Sequence, residues 1–217
     1  MNIDFSKISK NEVKELALEK LMEVKHSTIS TIDFNGNPTS RIVDLMFREG
    51  DDIYILTCNV KPFYRQIKHN KNIAITVMTK DYLQVRVQGI CEEVGEDILQ
   101  KIVEKNPSIK ELGLVRKDLN NMSYFCITKI RGEIFDLSGE RVKAQRARFS
   151  YGNKMVNEAG CVITNRCINC GKCFEICPFK AITKGKKKYI ISSNLCDECG
   201  LCYYICPVKA IELPTGM

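Results

Sequence analysis

Eight cysteines crowd into the last quarter of the chain, in two copies of one pattern. "CINCGKCFEICPFKAI" (167–182) and "CDECGLCYYICPVKAI" (196–211) both read C-x2-C-x2-C-x3-C-P and begin 29 residues apart. Three cysteines within seven residues wrap one iron–sulfur cluster in a tight loop, while the fourth points away to the other site. One [4Fe–4S] cluster is therefore expected on Cys167, Cys170, Cys173 and Cys206, and the other on Cys196, Cys199, Cys202 and Cys177. The proline after each fourth cysteine ends the local helix and removes a backbone donor. Zinc is set aside, because its tetrahedral sites draw on two pairs of ligands and have no use for a third closely spaced cysteine.

This segment resembles the bacterial two-[4Fe–4S] ferredoxin family over residues 160–213, with both cysteine motifs complete and "KAI" one residue after each C-P. The resemblance implies a small pseudo-twofold α+β domain and one-electron transfer at low potential. Between the copies, "TKGKKKYIISSN" reads as a hairpin with a basic tip, Lys184 and Lys186–Lys188. That tip is either a solvated turn or a docking point for an acidic redox partner.

The chain has 12 cysteines in 217 residues, and its start, "MNIDFSKISKNEVKEL", has no apolar leader. Reduced thiols holding metal are expected rather than disulfides, and a cytoplasmic, anaerobic setting follows from the oxygen lability of such clusters. Cys58, Cys91, Cys126 and Cys161 lack ligand spacing and read as inert buried thiols. The formal charge is +7, but each oxidised cluster with its thiolates carries about −2, leaving a mildly positive chain. That speaks against nucleic acid as a partner. No run of 18 apolar residues is present, so no membrane span is expected.

The rest of the chain looks different. Ser9 and Glu12 form an S-x-x-E capping box, and Val13, Leu16, Ala17, Leu21 and Val24 recur at helical spacing, so a helix is expected over 10–25. Then the period becomes two. Strands are expected at 27–33, 39–47, 52–58, 72–78, 83–94 and 123–137, with turns at "NGNP" (35–38) and "FREGDD" (47–52). Short helices are expected at 61–70 and 95–106. Six strands with short turns suggest a small antiparallel barrel with helices outside.

Within that barrel, Arg41 begins a strand and Lys61 precedes a short helix; a basic residue beside a helix N-terminus suits a phosphate. Gln84 can donate to and accept from the edge of a polar ring. The order of "STISTIDFNGNPTSRIVDL", "IYILTCNVKPFYRQIKHNKNIAIT" and "QVRVQG" resembles the pyridoxamine 5′-phosphate oxidase-like family of FMN-binding split barrels, over residues 10–135. The resemblance implies a mainly β split barrel with flanking helices and a homodimer with FMN at the subunit interface. It makes Arg41 and Lys61 phosphate ligands, lines the ring with Ile42, Val43, Thr57 and Cys58, and places Gln84 against the ring or ribityl chain. The chain has no tryptophan and lacks the arginine- and tryptophan-rich C-terminal signature of true pyridoxamine phosphate oxidases, so vitamin B6 oxidation is not expected. Arg86 reads as the solvent face of a strand, His69 as a helix-end contact, and His26 as a minor candidate proton donor.

The expected organisation is a flavin-binding domain over 1–137, a basic linker over 138–159 and a two-cluster domain over 160–217. The linker carries Arg141, Lys143, Arg146, Arg148 and Lys154, which either reach the flavin phosphate, pin the cluster domain to the barrel, or face solvent. Joined, the halves read as an oxidoreductase passing electrons between two [4Fe–4S] clusters and FMN. An external ferredoxin or oxidoreductase would supply them and a small unidentified acceptor would take them. An electron-transfer protein without its own substrate, or a redox or flavin sensor, is the alternative.

Overall fold

The structure, a computed structural model, describes residues 3–111, 120–138, 145–152 and 159–216. Helix α1 (Lys10–Val24) starts where the capping box places it: Glu12 N donates to Ser9 Oγ at 3.3 Å, and Ser9 N donates to Glu12 Oε2 at 2.7 Å. Its buried face is Val13, Ala17, Leu18 and Leu21.

Eight antiparallel strands follow: β1 (His26–Ile32), β2 (Pro38–Asp44), β3 (Phe47–Glu49), β4 (Asp52–Cys58), β5 (Asn72–Met78), β6 (Leu83–Val94), β7 (Met122–Asp136) and β8 (Arg146–Ser150). They form one sheet in the order β2-β1-β5-β6-β7-β4-β3, with β8 also on β7. The 15-residue β7 manages two partners on one side, pairing Met122–Ile127 with β4 and Arg131–Phe135 with β8. The sheet is a half-barrel with helices α2 (Pro62–His69), α3 (Ile98–Lys105) and the short α4 (Ser108–Glu111) packed beside it.

One sheet face carries the main core. Ile29, Ile55, Ile75, Val85, Val87, Phe125 and Ile134 meet α1 and the Phe63 and Ile67 side chains of α2. Burying each such side chain contributes roughly 1.5–3 kcal/mol. A smaller cluster packs Phe47, Met122 and Tyr124 against Ile98, Leu99 and Ile102 of α3.

Two expectations change. The strand expected over 39–47 is broken at Leu45 and Met46, because Leu45 is fully buried and its N–H donates to Lys25 O instead of a sheet neighbour. The stretch expected as linker contributes β8, a strand of the barrel sheet. Six expected strands are thus eight.

The C-terminal module is α+β, with β9 (Val162–Ile163), α5 (Lys172–Ile176), β10 (Ile182–Lys184), β11 (Tyr189–Ile191), α6 (Leu201–Ile205) and β12 (Ile211–Glu212). Strand β9 pairs with β12, and β10 with β11, giving the expected pseudo-twofold arrangement. The β10–β11 hairpin carries the basic tip. Among the described residues no helix is long and apolar enough to cross a membrane.

Candidate cofactor sites

The two cysteine motifs fold alike. In each loop the second residue after the first cysteine and the glycine before the helix take positive φ: Asn169 and Gly171 at 57° and 81°, Glu198 and Gly200 at 60° and 77°. This curls three cysteines around one point before a single helical turn begins. The fourth cysteine ends that turn in extended conformation, Cys177 at φ −72°, ψ 108° and Cys206 at φ −72°, ψ 110°. The following proline enforces that conformation.

The sulfurs sort themselves crosswise. Cys167, Cys170, Cys173 and Cys206 line one cavity, with Ile163, Tyr189 and Ile211 as apolar walls. Cys177, Cys196, Cys199 and Cys202 line the other, with Ile182 and Ile191. Among the described residues no three of His, Cys, Asp and Glu converge as one metal ion requires. Four sulfurs spread around an apolar hollow suit the separated irons of a cubane instead. Amide N–H groups already aim at sulfur, Asn169 N at Cys167 Sγ (3.4 Å) and Ala210 N at Cys206 Sγ (3.2 Å).

Sequence reading missed one neighbour. Cys161 lines the second cavity and is 4% exposed, while Tyr189 lines the first. Spacing gave no signal for it, since it approaches from β9 through the fold. Cys91 is buried as expected and Cys126 only partly so; burial pushes both thiols up, Cys126 to about 11.

The second loop is fastened to the barrel. Asn194 O accepts N–H bonds from Gln145 (2.8 Å) and Arg146 (3.2 Å), and Asn194 Nδ2 donates to Phe5 O (3.3 Å). Leu195 packs on the main core. Glu198, between Cys196 and Cys199, pairs with Arg146 (2.8 Å) and Arg148 (3.1 Å) and accepts from Gly160 N (2.8 Å). Arg148 also pairs with Glu133 of β7 at 2.9 Å, as does Arg86. Arg86 is therefore an ion-pair partner rather than a bare solvent-facing residue. Glu133 is 1% exposed and the Arg148 side chain 2%; charges this deep persist only when paired. Burial pushes the Glu198 carboxyl up, but Gly160 N–H and the two guanidiniums outweigh it and hold it below its ordinary value. Of the three readings of the basic stretch, pinning the module is the one Arg146 and Arg148 adopt. Arg141, Lys143 and Lys154 lie outside the described residues.

On the far side of the sheet, Arg41 turns toward α2. Its guanidinium donates to Thr31 Oγ1 (2.6 Å), Thr39 Oγ1 (2.7 Å) and Gln66 Oε1 (2.8 Å), and lies 4.9 Å from the Phe63 ring centroid. Burial pulls it down from its ordinary value, and among the described residues no carboxylate pairs with it. Lys61 is the N-cap of α2, exposed, with Pro62 behind it and no side-chain cap on the helix amides. Arg41 and Lys61 thus flank one helix.

The other expected flavin residues divide. Thr57 is buried on the core face of β4, one turn before Lys61. Cys58 faces the opposite way, into the α3 cluster, with its Sγ 3.6 Å from Met122 Sδ. Ile42 is 64% exposed and Val43 packs at the core edge. Gln84 alternates with the buried Leu83 and Val85, so it lies on the sheet face away from Arg41, between Met78 and Phe135 in register. His26 Nδ1 lies 2.6 Å from Asp44 Oδ1, and the His69 ring sits 4.8 Å from that of Phe34.

A family described as a 4Fe-4S dicluster domain matches residues 160–213. Among solved structures, a NimC/NimA family protein from Clostridium acetobutylicum is similar at 23% identity and TM-score 0.55, covering 65% of this chain and 96% of its own. A general stress protein 26-related protein of the pyridoxinephosphate oxidase family, also from Clostridium acetobutylicum, is similar at 14% identity and TM-score 0.52, covering 66% and 96%. Among curated proteins none matches the chain. The N-terminal part therefore has the split-barrel fold of these structures, and residues 160–213, which contain the eight motif cysteines, match a 4Fe-4S dicluster domain.

Proposed function

We propose that the chain is an iron–sulfur flavoprotein oxidoreductase that passes electrons between its two [4Fe–4S] clusters and FMN to reduce a small acceptor. The observation that carries the flavin half is Arg41: a half-buried cation held by neutral oxygens only, beside an uncapped helix N-terminus. A guanidinium so desolvated gains from an anion, and a phosphate offers the fork-shaped match. Lys61 and the first amides of α2 complete that anion site. The split-barrel fold supports the same reading.

The clusters, when bound, carry electrons singly, whereas FMN, when bound, exchanges one or two. The chain's own part is placement. Arg41 and Lys61 anchor the phosphate, and the Glu198–Arg146–Arg148–Glu133 chain holds the second cluster loop on the barrel. Arg41 and Gln84 lie on opposite faces of one sheet, so one copy does not offer both to one ligand. A homodimer, in which a second copy lends its Gln84 face, resolves this and is part of the proposal.

The test is anaerobic purification, denaturation, and identification of released flavin by chromatography with fluorescence detection. About one FMN per chain is expected. No flavin, even after incubation with FMN, would leave the barrel as a docking scaffold and sink the reading.

A further inference from the structure

The two clusters are not equivalent. The second loop is seated on the barrel through Asn194, Leu195 and Glu198. Among the described residues no hydrogen bond or ion pair joins the first loop, 167–173, to the barrel. Cys170 and its counterpart Cys199 are both exposed, so anchoring rather than exposure separates the loops; beside the first loop Ile168 (60%) and Phe174 (51%) present apolar surface.

Charge follows the same division. Lys172 lines the first cavity and Asp197 the second, while Lys180, between Phe179 and Ala181, stands beside the second. Lys209 stands between Val208 and Ala210, which line the first cavity. The basic hairpin is tied to the first loop: Asn169 Nδ2 donates to Lys187 O (2.7 Å), and Lys188 Nζ donates to the carbonyl of Ile163, another wall of that cavity. Arg166, Lys172, Lys184, Lys186, Lys187 and Lys209 are all exposed, and among the described residues none has an ion-pair partner. A cluster of unpaired cations around exposed apolar side chains has the make-up of an interface rim and centre. Opposing carboxylates would relieve the repulsion and steer the approach.

We infer that the Cys167/Cys170/Cys173/Cys206 cluster is the outer, electron-entry cluster, and that the basic surface around it docks an acidic one-electron carrier protein. The inference deepens the oxidoreductase reading by naming the partner's chemistry and the order of the clusters. In each encounter the carrier's reduced centre loses one electron and the outer cluster gains it, with no bond or proton transferred. The electron then moves inward to the Cys177/Cys196/Cys199/Cys202 cluster on the barrel.

The experiment is anaerobic stopped-flow reduction of the holoprotein, following the visible absorbance of the clusters. That signal does not need FMN, so a failed flavin assay leaves this test intact. The reductants are an acidic two-[4Fe–4S] ferredoxin and a neutral photoreduced deazaflavin. With ferredoxin at low salt, the Lys186→Glu/Lys187→Glu variant should react about tenfold or more slower, and the wild-type rate should fall as salt rises. With deazaflavin the variant should match wild type. Lys105→Glu, on the distant α3, should change neither rate. An unchanged variant rate with ferredoxin, or a wild-type rate indifferent to salt, overturns the inference. Should the double variant slow with both reductants, Lys186→Gln and Lys187→Gln decide: selective slowing with ferredoxin supports the inference, and equal slowing with both overturns it. A wild-type protein that ignores ferredoxin but shifts duplex RNA in a gel overturns it in favour of nucleic acid.

Discussion

At residue scale the most telling side chain is Arg41. An arginine beside a carboxylate is ordinary, but this one is held by neutral partners, two threonines and a glutamine. The charge remains available to a ligand. Arg41→Met keeps the stem against Phe63 and removes the charge. A charge-assisted bond of about 1.5–3 kcal/mol then translates into roughly 10–150-fold weaker FMN binding. Riboflavin, which has no phosphate, should bind both proteins alike; flavin fluorescence titration separates the two. Arg41 was legible in sequence from "SRIVDL" following a turn. Gln66 was not, because its role depends on α2 folding back over β1, which no local pattern encodes. Cys161 was invisible for the same reason.

Elements were legible where their signal is local and illegible where it is distant. The capping box placed α1, because adjacent residues settle it; the C-x2-C-x2-C-x3-C-P spacing marked the eight cysteines, but the fold is what brings Cys206 to the first loop and Cys177 to the second. Strand β8, "RARFS", reads as a polar connector. Its arginines are buried only because Glu133 and Glu198, 15 and 50 residues from Arg148, neutralise them. Two outcomes belong to this scale. Gly132, on β7 opposite Phe149, leaves no room for a methyl: a Cβ there would sit 2.6 Å from Val87 Cγ1 and 2.7 Å from Phe149 Cζ. Gly132→Ala should cost about 1–3 kcal/mol, seen as a Tm roughly 2–12 °C lower in thermal unfolding. The crosswise ligand sets make a spectroscopic prediction. Cys177→Ala and Cys199→Ala should leave the same residual cluster signal by electron paramagnetic resonance, and Cys170→Ala the complementary one. Matching spectra for Cys177→Ala and Cys170→Ala would assign each motif its own cluster and refute the sorting.

For the whole molecule, the junction between barrel and module decides behaviour. The Gly160 N–H and the two guanidiniums hold the Glu198 carboxyl below its ordinary value in the folded chain. Its contribution is therefore complete above that ordinary value and is lost as pH falls through the lower folded one. The Tm of the holoprotein should stay level from neutrality to about pH 5 and drop below it. Glu198→Gln should start lower and show a shallower acid drop; an identical acid profile would remove Glu198 from the junction. The two-part architecture was legible from the abrupt change in cysteine density. The fastening was not, since Asn194, Glu198 and Arg148 look like ordinary loop residues until the fold brings them together.

The double acceptance at Asn194 O has a consequence in time rather than in energy. A module hung on a slack tether delivers electrons at the pace at which it diffuses to its target, so glycerol slows it. Here the gap between second cluster and barrel is set by backbone bonds at 2.8 and 3.2 Å. In the proposed oxidoreductase, passage across that gap is tunnelling over a fixed distance, indifferent to solvent viscosity, and only the encounter with an outside partner is subject to friction.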